Sequence, residues 1–153
     1  MTDSKQRIEA VADELAIRDL VAGYADAVIR NDPEAWSETW AEDATWIVGG
    51  QATEGREAIL AQWNGLMSLF EFITQLPQHG RVEIAGDCAT GRWYVNELGR
   101  PHGGEPSLTL GVYHDRYARH GSRWQFQRRR FDLLYVGPPD LSGTTFPFPT
   151  DAE

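Results

Sequence analysis

Cysteine is nearly missing from this chain of 153 residues: Cys88 stands alone, which rules out an internal disulfide and leaves no CxxC pair for zinc. Basic residues are scarce too, with 14 Lys and Arg against 23 Asp and Glu and a formal charge of -9. Nucleic acids and anionic membranes are bound through excess Lys and Arg, so no nucleic acid and no membrane is expected as a partner. No run of about 18 apolar residues occurs, and no basic start leads into an apolar core, so neither a membrane helix nor a secretory leader is expected. The expected location is cytoplasmic. Also absent are GxGxxG, GxxxxGK, HExxH and GxSxG, and any paired His/Asp spacing of a metal site. Chemistry then falls to ordinary side chains brought together by the fold, with no metal and no cofactor expected.

What the chain does have is periodicity. Ile17, Leu20, Val21, Tyr24, Ala25 and Val28 fall at i, i+3, i+4, i+7, i+8 and i+11, the stripe of a helix with one buried face. Tyr24 therefore points inward, Asp26 sits on the opposite side and Ile29 lies at the stripe's edge. Asp32 as N-cap and Pro33 in the first turn predict a short second helix carrying Trp36 and Trp40. A strand over 44–48 follows, ended by Gly49-Gly50. Ile59, Leu60, Trp63, Leu66, Met67 and Phe70 predict a third helix over 55–70, and residues 1–13 a lead-in turn or helix. From Gln75 the pattern turns to strands, over 81–85, 88–98, 108–119 and 123–136. Helices first and an antiparallel meander afterwards predict one α+β domain over 1–137. A proline-rich tail over 138–153 is expected to be extended, and either disordered or draped over an opening.

Alternation along the strands decides which side chains can meet. Ala89, Gly91, Trp93, Val95 and Glu97 share an apolar face. If that face covers the helices, Glu97 is a carboxylate at a cavity mouth, where burial raises its pKa and suits it to proton transfer. The alternative is a strand-end glutamate in solvent. The next two strands leave the choice open, between the sets of Tyr113 and of His114, and between the sets of Arg129 and of Arg128. Three consecutive arginines, 128–130, put at least one on each side, and an inward arginine needs a carboxylate or a ligand anion.

The segments AIRDLVAGYADAV, NDPEAW, AEDATWIV, GREAI, GDCATGRWYV, VYHDRYAR and GSRWQFQRRR, in that order and spacing, resemble the SnoaL-like (polyketide cyclase-like) branch of the nuclear transport factor 2-like superfamily. The resemblance runs from about residue 12 to 135. It implies a cone-shaped α+β barrel, with helices packed on a strongly curved antiparallel sheet around a central pocket. It also implies relatives that are cofactor-free eliminating enzymes. Tyr24 matches a helix tyrosine of the family's dehydratases and His79 the second histidine of an HxxxH-like segment, whereas the catalytic Asp and His positions are occupied by Ile29 and by Gln75 or Leu76. The family's pocket faces correspond to Trp93, Val95 and Glu97, to Thr109, Gly111 and Tyr113, and to Arg129, Phe131 and Leu133.

The resulting expectation is a cofactor-independent lyase, a dehydratase or a retro-aldol type, or else an isomerase, acting on a small apolar hydroxylated aromatic or polycyclic compound. His79, Tyr24, Glu97, Arg129 and Tyr113 are the expected catalytic residues. Trp46, Trp63, Trp93, Val95, Ile29, Leu76, Phe131 and Leu133 are the expected pocket walls. With the dyad replaced, the competing expectations are a non-catalytic binding or assembly module for a small hydrophobic molecule, and a subunit that partners an oxygenase or another chain. Tyr94 and Trp124, on faces turned from the helices, suggest a homodimer or homotrimer.

Overall fold

A computed structural model describes residues 2–149, with side chains from residue 4 onward. The apolar stripe builds α1 (Thr2–Arg30), and Asp32 caps α2 (Pro33–Glu38) by accepting from the Ala35 amide at 3.0 Å. Then come β1 (Trp40–Val48), β2 (Gln51–Glu54) and α3 (Arg56–Met67). The long strands β3 (Phe70–Ala85), β4 (Cys88–Pro101), β5 (Ser107–His120) and β6 (Arg123–Gly137) follow, with a two-residue β7 (Thr144–Thr145). The three helices lie on a curved, open sheet ordered β2-β1-β6-β5-β4-β3, and β7 adds to β6. All pairings are antiparallel except β1 with β6, so the sheet is mixed.

Burial follows the stripe: Ile17, Val21, Tyr24 and Val28 are buried, whereas Asp26 is exposed and paired with Arg30 at 2.8 Å. Between helices and sheet lies an aromatic core in which Trp36 stacks on Trp63 at 4.7 Å and meets Trp46 at 5.5 Å. Cross-strand rows run over the concave face: Gln75–Glu97–Thr109, Gly80–Trp93–Tyr113–Phe131 and Val82–Gly91–Asp115–Arg129. Gly91 is small for a reason, since a Cβ there would sit 2.6 Å from the Tyr117 hydroxyl.

Two bulges in β6 change what alternation alone predicts. Arg116 pairs with Arg128 but Tyr117 with Phe126, leaving Gln127 as the extra residue, and Leu134 is left over in the same way. Before Gln127 the parity is reversed, so Phe126 enters the core and Trp124 is buried, its Nε1 donating to Asp13 of α1 at 2.9 Å. Trp124 is therefore not the outward aromatic on which half of the oligomer expectation rested. Beyond Leu134, Tyr135 turns to the outer face, where its hydroxyl donates to the Pro138 carbonyl and accepts from the Gly143 amide. The described part of the tail crosses that outer face. Its Phe148 ring lies 6.1 Å from His114 and 5.8 Å from the Arg92 guanidinium, so the tail as far as residue 149 lies on the side of the sheet away from the helices.

Candidate active site

Five elements deliver polar side chains to one place on the concave face: Tyr24 from α1, Gln75 from β3, Glu97 from β4, Tyr113 and Asp115 from β5, and Arg129 from β6. The Gln75 amide donates to Glu97 Oε2 at 3.0 Å and to the Tyr113 hydroxyl oxygen at 3.1 Å. The Tyr24 and Tyr113 hydroxyls lie close enough for each to shift the other's titration. The Tyr113 hydroxyl is thus positioned by Gln75 and free to rotate its proton toward an occupant of the site.

Beneath the tyrosines lies Arg129, only 1% exposed. Its guanidinium carbon is 3.6 Å from the Tyr113 ring centroid, 4.2 Å from Tyr24 and 4.3 Å from Phe126, so three ring faces surround the cation. Arg129 Nε is 3.2 Å from Asp115 Oδ1. The other Asp115 oxygen accepts from the Tyr117 hydroxyl at 2.8 Å, and that hydroxyl accepts from Trp93 Nε1 at 2.8 Å. This chain of contacts fixes where the buried charge sits.

Burial governs the titration of every member. It raises Glu97 above the usual carboxylate range, with the Gln75 hydrogen bond opposing, and it raises Tyr113 and, more strongly, Tyr24. Asp115 is pushed up to about 6 by burial, against the pull of Arg129 and Tyr117. Burial alone would lower Arg129, but Asp115 and the surrounding tyrosines outweigh it and hold the guanidinium charged. The arrangement offers a carboxylate of raised basicity, a tyrosine donor and a fixed positive charge behind it.

A cavity of about 230 Å³ lies between the end of α1 and the turn from α3 to β3, lined by residues including Val28, Ile29, Met67, Phe72 and Ile73. Ile73 shares the concave face of β3 with Gln75, two residues on. Ile29, 47% exposed, is on this rim.

Of the residues singled out from sequence, Tyr24, Glu97, Tyr113 and Arg129 come together. Val95 and Phe131 flank them on the concave face, with Phe131 4.9 Å from Tyr113. Trp93 lies below and supports Tyr117, while Trp46 and Trp63 belong to the helix-side aromatic core. His79 does not join. The pairing of β3 with β4 is interrupted between Pro77 and Gly80, and His79 in that bulge is exposed, its ring 4.8 Å from Tyr94 on the outer face. Leu76 alternates with Gln75, so it points outward and is 47% exposed, and Leu133 sits at an open edge at 36%. Gln75 was missed as a site residue, having been named from sequence only as one of two candidates, with Leu76, for a replaced histidine. Asp115 and Tyr117 were missed too, and their alternation with Tyr113 was the available signal.

The comparisons with known proteins agree with this architecture. A family model described as SnoaL-like domain matches residues 9–130. No curated protein matches. Among solved structures, LinA aligns at 26% identity with a TM-score of 0.82, over 94% of this chain and 99% of that one. The hexachlorocyclohexane dehydrochlorinase LinA-type3 from Novosphingobium barchaimii LL02 aligns at 25% identity and a TM-score of 0.80, over 94% and 99% of the two chains. A scytalone dehydratase-like protein from Novosphingobium aromaticivorans DSM 12444, at 18% identity, a TM-score of 0.79 and coverage of 95% and 96%, shares the fold.

Proposed function

The chain belongs to the SnoaL-like domain family, and from that premise we propose that it is a cofactor-independent lyase that eliminates water from a small hydroxylated aromatic or polycyclic compound. The observation that carries this reading is the Gln75 amide, which donates to both Glu97 and the Tyr113 hydroxyl oxygen and so holds a carboxylate and a tyrosine hydroxyl side by side. Glu97 is the proposed base. It takes a proton from the carbon next to the one bearing the hydroxyl, the C–H electron pair becomes the new C=C bond, and the C–O bond breaks. Tyr113 stabilises the departing oxygen by hydrogen bonding, and Glu97 returns its proton to that oxygen on the same face, so that water leaves and the enzyme is regenerated. The Arg129 charge, held in a dry setting, favours negative charge developing on the oxygen.

Two of the similar structures are of LinA-type proteins, one of them named a hexachlorocyclohexane dehydrochlorinase, which is also an elimination. In this chain the positions of the family's aspartate and histidine are Ile29 and Gln75 or Leu76, so the base must come from elsewhere, and Glu97 is the carboxylate among the grouped residues whose titration is shifted toward neutrality at the site's open side. Incubation with a panel of hydroxylated aromatic and hydroaromatic compounds, read by the absorbance of the new conjugated double bond and by mass, tests it. Glu97→Gln should lower turnover by about 10²–10⁴. Turnover that survives the change removes Glu97 as base, and no turnover on any member of the panel favours the non-catalytic binding module.

A further inference from the structure

The sheet face turned away from the helices has a charge distribution at odds with the rest of the molecule. In a chain of formal charge -9, Arg81, Arg92, Arg116 and Arg128 line one groove of about 770 Å³ on that face, beside His114. Strand register sets these residues against one another: Arg81 is opposite Arg92, Arg92 opposite His114, and Arg116 opposite Arg128. Like charges directly across a ladder destabilise a sheet, so the arrangement costs the fold something. The strain shows at Arg128, whose pKa is lowered by burial and then by Arg116 and Arg130.

Local carboxylates offset the group only in part. Glu83 in the wall is exposed, Asp115 is engaged with Arg129 on the opposite face, and Asp132 is engaged by Arg130 at 3.0 Å while its other oxygen lies 3.8 Å from His114 Nε2. None of Arg81, Arg92, Arg116 and Arg128 forms an ion pair among the described residues. Two nitrogens in the wall, the Arg92 Nε donor and His114 Nε2, are buried without a hydrogen-bond partner. At one end the tail places the Phe148 ring against both His114 and Arg92.

We propose that this groove is a binding site, separate from the site around Glu97, for a small organic anion that carries two or more negative charges on phosphate or carboxylate oxygens. Guanidinium forks match those oxygens two at a time, which an ammonium does not. The volume is that of sites for metabolite-sized ligands. Phe148 supplies a flat apolar wall for the organic part, and the bound anion would relieve the repulsion across β4, β5 and β6.

Isothermal titration calorimetry of the full chain with inorganic pyrophosphate, and separately with citrate, at constant ionic strength tests this. Saturable binding at one site per chain is expected, and an Arg92→Gln/Arg128→Gln double variant should bind at least about tenfold more weakly. Turnover at the Glu97 site should not change in that variant, because neither residue faces it. Should the double variant fail to fold, Arg116→Gln, at an exposed position, carries the same comparison. Pyrophosphate binding without citrate binding assigns phosphoryl ligands, and the reverse assigns carboxylates. The proposal is overturned if neither probe saturates, if wild type and variant bind equally, or if sedimentation shows that the groove is closed by a second copy and that the variant only releases it.

Discussion

Replacing Asp115 with asparagine and measuring stability across pH isolates the buried ion pair on which the site rests. Asp115 and Arg129 have side chains 0% and 1% exposed. Burial raises Asp115 to about 6, while the Arg129 charge and the Tyr117 hydrogen bond pull it down. In an unfolded chain an aspartate titrates at about 3.9. The folded protein therefore holds this proton more tightly than the unfolded chain, and the stability that comes from it is fully present below about pH 4 and lost as pH rises through about 6. Two pK units correspond to about 3 kcal/mol. Asparagine does not titrate, has the same shape and can still accept from Tyr117. The expected outcome is that the stability of wild type relative to Asp115→Asn falls by about 2 kcal/mol between pH 4 and pH 7. In urea titrations followed by tryptophan fluorescence, with a slope of about 2 kcal/mol/M, the relative midpoint moves by about 1 M. A difference that grew with pH instead would mean that Arg129 holds Asp115 below its ordinary value, and would refute the argument that desolvation outweighs the pair.

Removing the hydroxyl alone, in Tyr113→Phe, should lower kcat by about 10²-fold while leaving the fold intact, as loss of one preorganised donor does; steady-state kinetics and circular dichroism check both halves. His79→Ala and Asp26→Asn change exposed side chains remote from the Tyr113 hydroxyl, so each should leave turnover unchanged and stability within about 0.5 kcal/mol, as measured by activity and thermal melts. Gly91→Ala introduces a Cβ 2.6 Å from the Tyr117 hydroxyl and should destabilise by about 1–3 kcal/mol in the same urea assay.

Much of the fold was legible because long periodic segments report their buried face directly. The stripe through Ile17, Val21, Tyr24 and Val28, the Asp32-Pro33 restart and the apolar parity of β4 each appear in the structure where the residue types put them. Parity failed only where the chain adds a residue. A bulge carries no signature in the identity of Gln127 or Leu134, because it is set by how β6 must bend to follow β5. The same limit misplaced His79: chemistry made it the best acceptor, yet the irregularity between Pro77 and Gly80 turns it outward. Glu97 was found because alternation puts it on the apolar face of β4, and Arg129 because the family resemblance settled a parity that alternation left open; that Gln75 bonds Glu97 and Asp115 pairs with Arg129 needed the register between strands, which a single sequence does not contain. The edge strand β2 after Gly49-Gly50, four residues long, was too short for a periodic signal.

The pH dependence of kcat/KM, compared between wild type and Glu97→Gln, tests the central claim most directly, that the half-buried glutamate on β4 abstracts the proton. Burial raises the Glu97 pKa, so wild type should gain activity with rising pH along a single limb displaced above the ordinary glutamate value of about 4.3, and that limb should vanish with the residual activity of Glu97→Gln. The account is contradicted if the limb persists in Glu97→Gln, or if it lies near pH 6.5 and disappears in His79→Ala, which would return the base to the histidine on the outer face.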